Sequence, residues 1–168
     1  MQELSKIILG TGNYNNVKSG NTVSVTGDGG NAFGYFGSSY KKLAPKLSTF
    51  IPYKEKIDKL EIIKDKESYK KFRKEIEDEY IKSYYNIRLK KLDVKELLYI
   101  LKEKYGDNII LLCHEDIKEF CHRRLIADYI EIETGIYIPE ISIENNKVKK
   151  LTPIRYKKRL INIINKSR

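Results

Sequence analysis

Apolar and polar positions divide the chain into alternating strand-like and helix-like stretches. Residues 109–112, Ile-Ile-Leu-Leu, form an unbroken apolar run, the pattern of a strand buried on both faces. Residues 6–9 predict the first strand, and residues 22–26, Thr-Val-Ser-Val-Thr, alternate as a second. Leu43-Ala44-Pro45 and Pro52 mark breaks. Residues 55–89 then have helical spacing, as one or two helices, with Phe72, Ile76, Tyr80 and Tyr84 as the buried stripe. Asp93 is a good N-cap and Gly106 a good C-cap for a helix over 94–105, which leads directly into the apolar strand. Residues 121–129 are helical again, with Leu125, Ile126, Tyr129 and Ile130 on one face. Residues 136–138 and 140–143 alternate as a final strand pair, and Asn145-Asn146 reads as a turn. Residues 147–168 begin strand-like and end in a helix bearing Leu160, Ile161, Ile163 and Ile164. Helix, parallel strand, helix is the doubly wound pattern. The expected fold is a single α/β domain with a mostly parallel, three-layer, Rossmann-like sheet over 1–146, carrying a basic extension packed on the same domain.

Two glycine-rich stretches fall where loops leave strands. Residues 10–16, Gly-Thr-Gly-Asn-Tyr-Asn-Asn, follow the first strand. Residues 27–37 follow the second and contain a formal Gly-x-Gly-x-x-Ala match, but the residues after it are aromatic and glycine-rich, not an amphipathic helix. A dinucleotide fingerprint needs that helix to receive the pyrophosphate, so the match lacks its context. Two readings remain: a flexible loop, or a cover in which Phe33, Tyr35 or Phe36 stacks on a ring of a ligand.

Both cysteines and both histidines sit in two identical dipeptides, Cys113-His114 and Cys121-His122, spanning the end of the apolar strand and the start of the next helix. In open α/β sheets ligands bind beyond the carboxyl ends of strands, close to helix N-termini. Seven residues separate the cysteines, against two to four in the usual structural zinc pattern, and adjacent Cys-His dipeptides do not easily converge on one ion, so no metal is expected. Glu119 stands where an oxyanion-binding loop of the Cys-x5-Arg type needs arginine. Three readings stay open: buried packing cysteines, a reactive thiol at Cys121 activated by a helix N-terminus and its basic neighbours, or a loop whose Arg123 and Arg124 hold phosphate.

The run Leu112-Cys113, Glu115, Phe120-Cys121-His122-Arg123 and Ala127 resembles the bacterial and phage proteins grouped as domain of unknown function 488. Tyr40 to Pro45 is similar to that family's Leu-Ala-Pro element, and residues 11–16 to its loop after the first strand. The resemblance spans about residues 5–140 and implies a fold and a site location, not a settled activity.

The net charge of +10 is concentrated, since residues 147–168 hold nine Lys or Arg and no acid while the remainder is nearly neutral. Two functions therefore compete. In the first, a phosphorylated or nucleotide-like small ligand occupies a pocket at the carboxyl edge of the sheet. Thr11, Asn13, Tyr14, Phe33, Tyr35, His114, Glu115, Arg123 and Arg124 would bind it, and Cys113, Cys121 and His122 would supply any catalysis, without a cofactor. In the second, Lys149, Lys150, Arg155, Lys157, Lys158 and Arg159 contact nucleic acid, as in an accessory protein of a mobile element. No stretch has the length and apolarity of a membrane span or the form of a signal peptide, and two cysteines are too few for a disulfide scaffold, so a cytoplasmic location is expected.

Overall fold

The computed structural model describes residues 2–167. A short helix, α1 (Gln2–Ser5), precedes β1 (Ile8–Asn13) and β2 (Asn21–Ser24); after a glycine-rich loop come the two-residue β3 (Ser38–Ser39), α2 (Leu47–Lys59) and α3 (Lys66–Ile87). Then follow α4 (Val94–Tyr105), β4 (Ile109–Cys113), α5 (His122–Thr134), β5 (Glu140–Glu144), β6 (Lys147–Leu151) and α6 (Lys157–Lys166). One six-stranded sheet has the order β3-β2-β4-β1-β5-β6, with every pairing parallel except β5–β6. This is the mixed α/β, Rossmann-like architecture that the alternation of elements predicts.

β4 is the centre of that sheet, and its five residues are all buried. Its alternating side chains feed two cores. Ile109, Leu111 and Cys113 join a large cluster with residues from α3, α4, α5 and α6, whereas Ile110 and Leu112 face a small cluster with Tyr14, Val17 and Ile141 that contains no helical residue. Helices cover one face, and loop side chains make the thin layer on the other, so the third layer expected to be helical is built from loops among the described residues.

Caps define the helices around the site. Asp65 accepts from Ser68 N at 3.0 Å to start α3, and Asp93 from Glu96 N at 3.1 Å to start α4. Gly135, at φ 78°, ends α5 in the left-handed conformation that glycine adopts most easily.

Four local expectations are corrected. β1 runs through Asn13, so most of the expected loop at 10–16 is strand; Gly12 is there because a Cβ would lie 2.6 Å from Val17 Cγ2 and 3.0 Å from Ile141 O. Pro52 lies inside α2 and breaks nothing. The stripe of α3 begins only at Ile76, leaving Phe72 43% exposed. Residues 136–138 form no strand, and the partner of β5 is β6, through a turn in which Asn145 and Asn146 both take positive φ.

The basic segment is built into the domain. β6 forms one margin of the sheet, and Tyr156, Leu160 and Ile164 of the final segment are buried. Tyr156 N donates to Asp128 at 2.6 Å, Arg155 pairs with Asp128 and Glu131, and Arg159 pairs with Asp78 at 2.8 Å and Glu77 at 3.0 Å.

Candidate functional site

β2 and β4 are adjacent and parallel, so the loops leaving their carboxyl ends, residues 25–37 and 114–121, emerge side by side. Together with the start of α2 they enclose a cleft of ≈ 890 Å³. Its rings are Phe33, Phe50, Tyr53, Tyr80 and Phe120, and its cations are Lys41, Lys46 and Arg88. Ala44 and Pro45 line the same cleft, as do Cys121 and His122. The Leu-Ala-Pro element and the second Cys-His dipeptide, far apart in sequence, thus face one space.

The floor is a network around Cys113 and Cys121. Cys121 caps α5, its sulfur accepting from Arg123 N at 3.4 Å, where the helix dipole favours negative charge on sulfur. Cys113 ends β4, and the two sulfurs are in direct contact, paired as a disulfide. Arg123 is 1% exposed and donates through Nη1 to Cys113 Sγ at 3.0 Å and Cys121 Sγ at 3.3 Å. The same nitrogen bonds Glu115 O at 2.8 Å, while Nη2 meets Glu140 Oε2 at 2.6 Å. Glu115 Oε2 lies 3.1 Å from Cys113 Sγ and 3.2 Å from Cys121 Sγ, positions from which the dithiol form donates to it.

His122 is buried, and its Nε2 bonds Val25 O at 2.7 Å. Burial pulls its pKa below the ordinary histidine value, so the ring is neutral and Nε2–H is the donor. On the wall above, His114 stacks on Phe33 with centroids 4.6 Å apart and pairs with Glu115 at 3.2 Å. Burial, before any neighbouring charge, pushes the Tyr53 phenol up to about 12.

The expected binding residues separate into three groups. Phe33, His114 and Glu115 line the cleft. Tyr14, Asn13 and Tyr35 stand behind it: Tyr14 OH bonds Ser24 Oγ at 2.7 Å, Asn13 Oδ1 accepts from Asn16 N at 2.8 Å, and Tyr35 OH meets Thr22 Oγ1 at 3.1 Å. Thr11, Arg123 and Arg124 are interior. Thr11 Oγ1 donates to Glu140 at 2.6 Å and accepts from Arg124 Nη1 at 2.9 Å, and Arg124 also bonds Ile138 O at 2.8 Å. The expectation of paired arginines as surface cations is corrected, because the acids at positions 128 and 140 draw both inward.

Lys41, Lys46 and Arg88 take their place on the cleft, and sequence reasoning did not single them out. Lys41 abuts the Leu-Ala-Pro element, which was a usable signal; Arg88, held by a 2.8 Å bond to Ala44 O, gave none among so many basic residues. Of the cations assigned to nucleic acid, Arg155, Lys157 and Arg159 face acids of the domain, while Lys149, Lys150 and Lys158 are exposed.

The family model described as DUF488-N3a, active DUF488-N3 subclade, matches residues 21–134, more than half of the chain. The chain belongs to the DUF488 family. The match holds β2, the Leu-Ala-Pro element, β4 and all of α5, so every wall of the cleft lies within the DUF488 region. No curated protein and no solved structure matches. Among the described residues of this DUF488 protein, no helix is long and apolar enough to cross a membrane.

Proposed function

We propose that this DUF488 protein binds a phosphorylated, nucleotide-like small molecule in the cleft at the carboxyl ends of β2 and β4. The observation that carries the reading is the composition of the lining: rings at Phe33, Phe50 and Tyr53, with Lys41, Lys46 and Arg88 at hand for an anionic group. Aromatic faces accept a base by stacking, and cations in a partly desolvated cleft accept phosphate. A ligand of this class fits the ≈ 890 Å³ available. It would lie against Cys121 and His122, the residues best placed to act on it. Its subclade is described as active, which favours a working site over a packing motif.

The test is a thermal-shift screen of nucleotides and cyclic nucleotides against the whole chain, since a ligand that binds only the folded state raises the melting temperature by mass action. The expected hit loses its shift in Lys41→Glu/Lys46→Glu, in which both substitutions fall on exposed side chains. An undiminished shift in that variant removes the reading.

A further inference from the structure

We propose that Cys113, Cys121 and His122 form a binding site for a thiophilic divalent cation of the zinc class, with Glu115 on its cleft side as the fourth donor. Ligand atoms of the first three lie within 4.8 Å of one another, and all three residues are buried. Glu115 Oε2 is 3.1 and 3.2 Å from the two sulfurs. Two thiolates, an imidazole and a carboxylate are a donor set that tetrahedral zinc accepts.

Three further observations support a metal. The Nε2–H of His122 is committed to Val25 O at 2.7 Å, which fixes the ring and makes Nδ1 the nitrogen that would bind the ion. Metal-binding histidines are held by such a bond to a carbonyl or carboxylate. Arg123 Nη1 donates to both sulfurs, at 3.0 and 3.3 Å, compensating thiolate charge from the side away from the cleft. In the dithiol form, the 7.8 Å between the Cα atoms of Cys113 and Cys121 leaves room for an ion held by two Zn–S bonds of about 2.3 Å.

The dithiol is the binding form, and the disulfide excludes the ion because its sulfurs have no free charge. Convergence of both Cys-His dipeptides on one ion is not required. Only one histidine is needed. His114 turns to Phe33 and leaves the donor set. The inference does not depend on which molecule fills the cleft.

The experiment uses the whole chain, reduced and stripped with a chelator, and titrates it with Co2+ as a spectroscopic probe followed by Zn2+. Expected are sulfur-to-cobalt charge transfer and the intense visible bands of a tetrahedral ion, saturating at about one equivalent and bleached by Zn2+. Cys113→Ser and Cys121→Ser each weaken the charge-transfer band to about half, the double variant abolishes it, and His114→Gln keeps it in full. Should the serine variants fail to fold, wild-type protein decides: Zn2+ must block alkylation of both cysteines. Reduced wild-type protein that gives no sulfur-to-cobalt band, or whose cysteines alkylate equally with and without Zn2+, overturns the proposal.

Discussion

Arg123 on α5 and Glu140 on β5 form a buried ion pair, Nη2 to Oε2 at 2.6 Å, with both side chains at most 2% exposed. The pair ties the helix that follows the cysteines to the strand beside β1. It also leaves Nη1 aimed at the two sulfurs. The arginine therefore sets the shape of the site from within the protein and does not face the cleft.

Removing one partner strands a charge in the interior. Arg123→Ala and Glu140→Ala should each lower unfolding free energy by about 3–5 kcal/mol in denaturant titrations. Arg123→Lys should rescue little, because an ammonium cannot reproduce the forked contact to Glu140 and the sulfurs. A stability loss under about 1 kcal/mol for Arg123→Ala would refute the buried-pair account.

Tyr156 packs edge-on against Phe120 with centroids 5.3 Å apart, and Phe120 packs in the same way on Tyr80 at 4.9 Å. Tyr156→Ala should cost about 3–5 kcal/mol through the cavity it opens. Loss of ligand-dependent stabilisation should accompany it, since Phe120 and Tyr80 line the cleft. Lys158→Ala, at an exposed position on the same segment, should change stability by less than about 0.5 kcal/mol.

Gly12→Ala forces a Cβ to within 2.6 Å of Val17 Cγ2 and 3.0 Å of Ile141 O. The expected cost is about 1–3 kcal/mol. Adding Val17→Ala should restore only part of it, because the carbonyl contact persists. Full restoration in the double variant would show that side-chain crowding alone excludes alanine.

The Asp28 carboxyl is held below its ordinary range, first by the Gly30 amide at 2.8 Å, and further by the Thr26 hydroxyl at 2.9 Å and the Ala32 amide at 3.3 Å. A depressed folded pKa means that the ionised carboxylate stabilises this loop above the unfolded value, and that this contribution is lost as pH falls through the folded one. Hydrogen exchange at Gly30 should accelerate, relative to core amides, on acidification below about pH 4. Asp28→Asn should show the faster exchange at neutral pH and flatten the profile.

The fold was largely legible because its signals are local. The apolar run of β4, the Asp93 and Gly106 caps and the Cys121 start of α5 all stand where periodicity and capping place them. What sequence could not show depended on long-range partners. Glycines 10 and 12 look like loop residues until β5 is seen to pass beside them. Arg123 and Arg124 look like phosphate ligands until Glu140 and Asp128 appear opposite. Likewise, the family motif located the Cys-His loop, but only the pairing of β2 with β4 shows which cations share its cleft.

A sheet with two open margins invites a second chain to continue its hydrogen bonding. Here one margin is β3, two residues long, and the other is β6, which carries Lys147, Lys149 and Lys150 in five residues. An incoming strand finds too short a template at the first and crowded like charge at the second. The lysines that look like a polyanion-binding segment thus also disfavour edge-to-edge stacking of neighbouring molecules, and their replacement by apolar residues should promote self-association.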